Sequence, residues 1–314
     1  MGRANQIQNS IVTALTGQRA MIVLAWAAYV MVVEFIAGAA ARDPSLPVSD
    51  DTRALIAGAP ALARWDSFYF RGVAERGYAD TGPGSRQAVA FLPLYPLAMR
   101  CVGDVFGIDY FIAGLWVSRL SLLAVLLLLA HYASDDGHRN ATECVPYRLL
   151  PIHGASGADA ADRVAPPAAL LAFPAAFLLV AVYSDSLFLA LVLATFAAAR
   201  RGWFWRAAAA AFLASLTRVQ GLALAPALAL LAWPQWRDRR ASLAAFVPAA
   251  STLAAYGLLI GLCAVEFGEP LRHFHVRRES WAQRPTAPWN TLSRAVDAAA
   301  DALGRCDLAA LYRL

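Results

Sequence analysis

Long apolar runs separated by short polar stretches make up most of the chain. The first, Met21 to Ala41, has 21 residues. A helix rising about 1.5 Å per residue crosses a hydrocarbon core of about 30 Å in that length. A secretory signal has an apolar region of roughly 7–15 residues, so this run reads as a retained helix. The small residues Ala37-Gly38-Ala39 leave cleavage as the minor alternative. Glu34, inside the run, is costly in lipid and is expected to face protein or water.

Residues 42–88 are polar, with six Arg balanced by six acids, and two aromatic-rich stretches suggest an ordered functional loop. From Ala88 to Phe106 the chain is apolar but interrupted by Pro93, Pro96 and Arg100. Tyr110 to Tyr132 is a clear span despite Arg119, and residues 134–165 read as a Gly/Asp-rich loop. Short apolar runs follow at Ala165–Val182, Leu187–Ala199, Trp203–Leu216, Val219–Trp233 and Ala241–Val265. Residues 266–314 are mixed.

Short connectors obey the positive-inside rule. It puts Arg200, Arg201 and Arg206, and Arg237, Arg239 and Arg240, in the cytoplasm. Asp185 and Arg218 then fall on the outer face, with the 42–88 loop and the Glu266–Asn290 stretch. Parity requires an odd number of crossings between 88 and 134. Residues 89–105 therefore read as a re-entrant or interfacial helix, and 110–132 as one span. The expected fold is an all-α polytopic membrane protein, one membrane domain over 1–314, with about seven spanning helices and a long first outer loop near 42–109.

Composition agrees. Of the 314 residues 59% are hydrophobic and only 16% charged, which argues against a disordered tail, a coiled coil or an ordinary soluble enzyme. The net charge is +5, and all 27 basic residues are Arg. A GC-rich genome accounts for the missing Lys, and basic excess in a membrane protein orients loops. No basic stripe with interleaved aromatics lies in a soluble segment, so nucleic acid is not an expected partner. Cys101, Cys144, Cys263 and Cys306 form no CxxC pair. His273 and His275 make an H-x-H pair that could bind metal but has no evident third ligand; they read instead as solvated loop histidines, and Arg277 and Arg278 after them as headgroup-binding arginines.

The outer face gathers the unusual polar residues. Asp66 lies between Trp65 and the aromatics Phe68, Tyr69 and Phe70. An acid there suits a general base acting on a lipid-linked substrate; composition alone favours a helix cap within an interfacial aromatic belt. Asp185 sits in the turn-like Tyr183-Ser184-Asp185-Ser186. Arg218 stands at the mouth between two short spans, where a guanidinium snorkels or clamps a lipid phosphate.

At these residues the sequence resembles the PIG-V type mannosyltransferases, which include GPI mannosyltransferase 2 and bacterial relatives. Trp65-Asp66-Ser67-x-Tyr69-Phe70, Ala74-Glu75-x-Gly77-Tyr78 and Ala90-Phe91-x-Pro93-Leu94-Tyr95-Pro96 occur in the family's order. Phe173-Pro174-Ala175 through Tyr183-Ser184-Asp185-Ser186-Leu187-Phe188 is similar to a second block, with Asp185 where the family has Glu. Leu213-Ala214-x-x-Thr217-Arg218-x-x-Gly221-Leu222 is similar to a third, with Val219-Gln220 replacing a Ser-Asn pair. Trp281 and Pro288-Trp289 are a looser echo.

The resemblance implies a GT-C membrane glycosyltransferase that takes mannose from a polyprenyl-phosphate donor, with inversion, without a metal or other cofactor. Asp66 would be the catalytic base and Arg218 would stabilise the departing phosphate. Trp65, Tyr69, Tyr183, Asp185 and Gln220 would bind substrate. The setting is the plasma (inner) membrane, with the site on the outer or periplasmic side. The acceptor, an envelope glycolipid, glycan or protein, is left open. Relatives often continue with further spans, so residues 290–314 read as a shortened C-terminus. The alternatives are a transporter or flippase, and a non-catalytic member of the fold acting with a membrane partner.

Overall fold

A computed structural model describes residues 2–41, 59–78, 85–139, 160–237, 243–281 and 288–304. Among them all regular structure is helical. The helices are α1 (Gly2–Ala41), α2 (Ser67–Arg76), α3 (Leu94–Phe106), α4 (Tyr110–Arg139), α5 (Ala160–Ala172), α6 (Asp185–Arg200), α7 (Phe204–Ser215), α8 (Leu224–Arg237), α9 (Val247–Phe267), α10 (Arg272–Trp281) and α11 (Pro288–Gly304). A single turn forms at Ser85–Ala88, and 3-10 turns at Pro174–Leu179, Val219–Ala223 and Leu243–Phe246.

Among the described residues three segments are long and apolar enough to cross a membrane: Gly17–Ala39 in α1, Tyr110–Ala133 in α4, and Leu243–Phe267, which includes α9. This is an α-helical membrane protein. Leu24, Met31 and Phe35 of α1 are exposed, as befits a helix face turned to lipid. The remaining apolar helices are shorter. At about 1.5 Å per residue α6 reaches about 24 Å and α7 about 18 Å.

Two expected elements are subdivided, each for a reason written in its prolines. Residues 165–182 do not form one run. Helix α5 ends at Ala172, Phe173 turns extended (φ −67°, ψ 132°), and a 3-10 turn starts at Pro174. Pro174 lacks the N–H that would continue the helix and pushes Phe173 out of the helical region. In the same way Pro93 precedes α3, so helix begins only at Leu94 and residues 89–93 remain irregular. Helix α4 runs past the expected Tyr132 to Arg139. Cys144, Cys306, Arg239 and Arg240 lie outside the described residues.

Glu34 meets its expected need for a partner. Its carboxylate pairs with the Arg119 guanidinium of α4, and Trp26 Nε1–H donates to the Arg119 carbonyl at 2.9 Å. These contacts set α1 beside α4. Helix α3 folds onto α4 through Tyr95, which is fully buried. Tyr95 Oη lies 3.0 Å from the Gly114 carbonyl and 2.8 Å from Ser118 Oγ, and Ser118 Oγ donates to the Tyr183 carbonyl at 3.0 Å. Tyr95→Phe removes the buried hydroxyl that links three segments. It should cost about 1–3 kcal/mol, read as a lower melting temperature in detergent; unchanged melting would count against this linkage.

The hairpin of α6 and α7 has two chemically different ends. At one, Arg201 bonds His131, Arg200 lies 5.6 Å from the Tyr132 ring centroid, and Arg206 lies 4.7 Å from that of Trp203. Asp185 and Arg218 stand at the other.

Candidate functional site

The second end of that hairpin opens into a cavity of about 210 Å³. Five segments build it. Asp66 and Phe70 come from the start of α2, Ala90, Phe91 and Leu92 from the irregular stretch before α3, and Tyr183 and Ser184 from the turn before α6. Thr217, Arg218, Val219 and Gln220 come from the connection after α7 and the 3-10 turn it leads into, and Arg277 from α10.

The walls are pinned by hydrogen bonds between segments distant in sequence. Val182 N–H donates to the Leu62 carbonyl (3.2 Å) and Leu94 N–H to that of Leu216 (3.0 Å). Tyr78 Oη–H donates to the Phe91 carbonyl and Tyr256 Oη–H to that of Val219, each at 2.6 Å.

Asp66 immediately precedes α2, yet its carboxylate makes no capping bond. The helix-cap alternative is therefore set aside, and the side chain lines the cavity. The Asp66 N–H donates to Tyr183 Oη at 3.3 Å. Burial raises the Asp66 pKa above its ordinary 3.8; Asp185 adds to the rise, while Arg218 and Arg277 oppose it. Burial and the two carboxylates push Tyr183 up to about 12, so its phenol stays protonated.

Arg218 Nη1 bonds the Asp185 carboxylate and lies 3.4 Å from Ser184 Oγ. Trp65 is the one non-glycine residue with positive φ (49°) among the described residues, in a conformation costing roughly 1–2 kcal/mol. Trp65 is 65% exposed, with its indole edge-on to Tyr183 and the ring centroids 6.5 Å apart.

Asp66, Tyr183, Arg218 and Gln220 thus line the cavity as a group. Asp185 stands behind it, in contact with Arg218. Tyr69 lies outside the lining and stacks on Phe91 (4.9 Å, 15°), which forms a wall.

Sequence reasoning missed Arg277 and misplaced His273. His273 is no solvated loop residue. It is 1% exposed in α10, where Nδ1–H donates to the Val89 carbonyl at 2.8 Å. Burial lowers its pKa to about 4, leaving it neutral. Four residues on, Arg277 Nη1 donates to the Ala90 carbonyl at 3.1 Å. The i, i+4 spacing of His273 and Arg277 was the only available signal, since both acceptors are backbone atoms far away in the chain. The described residues contain no group of three or more His, Cys, Asp or Glu able to hold a metal ion.

No family model, curated protein or solved structure matches the chain.

The arrangement is a half-buried carboxylate beside a neutral phenol, with two arginines in the same cavity lining. It can accept a proton from a hydroxyl and hold an anionic group nearby. If Asp66 is the base, the rate of the reaction should fall on acidification, with a midpoint above 3.8 because burial raises the pKa. A rate profile flat from about pH 7 to about pH 4 would contradict that role.

Proposed function

We propose that this protein is a membrane glycosyltransferase of the PIG-V type, transferring mannose from a polyprenyl-phosphate sugar to an envelope glycolipid, glycan or protein. The observation that carries the proposal is convergence. Asp66, Tyr183 and Arg218 belong to three motif blocks far apart in sequence, yet they line one cavity.

In this reading Asp66 takes the proton of an acceptor hydroxyl. The hydroxyl oxygen attacks the anomeric carbon from the face opposite the lipid phosphate. The bond from carbon to phosphate oxygen breaks, polyprenyl phosphate leaves with the electron pair, and the configuration inverts. The cationic side of the cavity stabilises the departing phosphate. Trp65, Tyr69, Tyr183, Asp185 and Gln220 shape or contact the substrate site.

The fold is read as GT-C-like, with about seven crossings: α1, α4, α5 with its 3-10 turn, α6, α7, α8 and α9. The arginine end of the α6–α7 hairpin is cytoplasmic by the positive-inside rule. The cavity then faces the outer side of the plasma membrane. No cofactor beyond the lipid-linked donor is invoked.

The test is incubation of membranes carrying the chain with labelled polyprenyl-phosphate-mannose. Label should pass to an acceptor that the same membranes without the chain do not label. A carrier or flippase would return the donor chemically intact on the other side.

A further inference from the structure

Helix α11 (Pro288–Gly304) contributes nothing to the cavity lining, yet its two sides differ sharply. Trp289, Leu292, Val296 and Ala299 recur every three or four residues, which puts them on one face of the helix. Asn290, Arg294, Asp297 and Asp301 recur in the same way on the opposite face. On the apolar side Trp289 is 71% exposed, Leu292 67% and Val296 58%. A continuous exposed apolar stripe marks a surface made to be covered.

The place of α11 in the chain decides what covers it. Helix α10 starts five residues after Phe267, where the α9 membrane segment ends. Arg272, Arg277, Arg278 and Glu279 keep α10 at the membrane surface. Seven backbone steps then separate Trp281 from Pro288, a reach of at most about 25 Å. That is too short to cross a hydrocarbon core of about 30 Å. Helix α11 therefore begins on the face of the membrane where α9 ends, the face of the cavity that Arg277 lines.

It does not turn into the core. Its 17 residues reach only about 25 Å, and Arg294, Asp297 and Asp301 are costly in hydrocarbon. A helix too polar to span, too apolar on one side for water, and tethered at a bilayer surface has its nearest apolar phase in that bilayer. Trp289 suits this setting, because an indole is favoured at headgroup level. The polar face carries one Arg against two Asp, so apolar burial holds the helix, without attraction to anionic lipid.

We infer that α11 is an interfacial helix that lies along the bilayer surface on the cavity's side, with Trp289, Leu292 and Val296 sunk into the lipid. It holds the end of α10 at headgroup level, and α10 is the helix whose His273 and Arg277 bond the wall carbonyls of Val89 and Ala90. The wall is thereby tied to the plane in which membrane lipids diffuse. The inference needs only a membrane protein, and it stands whether or not the chain transfers sugar.

The test reads depth in the full chain, reconstituted in phosphatidylcholine nanodiscs. An environment-sensitive fluorescent amino acid is introduced, one position at a time, in place of Asn290, Leu292, Arg294 or Val296. Asn290 and Leu292, like Arg294 and Val296, are two positions apart, about 200° around the helix axis. At Leu292 and Val296 the emission should shift to the blue, be quenched by doxyl-labelled lipid and escape iodide. At Asn290 and Arg294 iodide should quench, and doxyl lipid only weakly. Exchanging part of the phosphatidylcholine for phosphatidylglycerol should leave this pattern unchanged.

Equal iodide quenching at all four positions would overturn the inference, because α11 would stand off the membrane. Leu292 and Val296 shielded from both quenchers would also overturn it, because protein, a second copy or another part of this chain, would be the cover. Lipid contact that needs phosphatidylglycerol would contradict apolar burial as its cause. A label that abolishes the melting transition at one position is moved along the same face, to Ala299 or Asp297, where the same outcomes decide.

Discussion

Asp66→Asn should lower sugar transfer by about 10²–10⁴-fold, the range a positioned general base supplies, while the protein stays folded and inserted. The substitution keeps the size and polarity of the side chain and removes only its capacity to take a proton. The Asp66 carboxylate makes no capping bond to α2, so the helix loses nothing. The stability sign also favours a clean experiment. Burial raises the Asp66 pKa in the folded state, so the folded protein holds this proton more tightly than the unfolded chain. The contribution of Asp66 to stability therefore decreases as pH rises through the window between the unfolded value and the raised folded one. At neutral pH the ionised group is a net cost, and the neutral amide of the variant removes it. The check is transfer in membranes beside a melting curve in detergent. Near-normal transfer by Asp66→Asn would end the assignment.

Gly221→Ala is expected to have the largest effect on the folded state. An added Cβ would lie 2.5 Å from Ser215 Cα and 3.0 Å from Ser215 N. Both are backbone atoms, so no rotamer change relieves the overlap. The Val219–Ala223 turn must move away from the end of α7. That turn is joined to Arg218 by the Gly221 N–H to Arg218 carbonyl bond (2.9 Å) and to α9 by Tyr256. Moving it shifts Arg218 and Gln220, two of the cavity's lining residues. The cost should be about 1–3 kcal/mol, typical of overpacking, with transfer lost in parallel. Gly257→Ala is the control. It lies in α9 with nothing within 4 Å of the added carbon, so melting should be unchanged or raised. If Gly221→Ala melts like the parent, the close packing of this turn is refuted.

The sequence made the membrane class readable because runs such as Met21–Ala41 exceed what a soluble core helix needs. Asp66, Asp185 and Arg218 were readable because a charge beside apolar segments is conspicuous, and their grouping followed from placing the arginine connectors on the opposite side. The break at Phe173 was written in Pro174, yet hydropathy alone passed through it. Other features were hidden for physical reasons. Arg277 and His273 sit among arginines that resemble a solvated face, and their acceptors are carbonyls of residues 89 and 90. Side-chain identity does not encode which distant carbonyl a donor will meet. Tyr69 stands near Asp66 in sequence, but α2 stacks it on Phe91, and Phe91 rather than Tyr69 lines the cavity. The left-handed Trp65 has no local signal, since the conformation is imposed by the packing around it.

The proposed reaction breaks the bond between a sugar and a polyprenyl phosphate in this cavity. The most direct measurement is a donor balance in vesicles reconstituted with the purified chain and supplied with labelled polyprenyl-phosphate-mannose and an envelope extract as acceptor source. One polyprenyl phosphate should be released for each labelled sugar transferred, with neither formed by Asp66→Asn. Donor recovered intact from vesicles holding folded protein, whether left in place or moved across the bilayer, would contradict it.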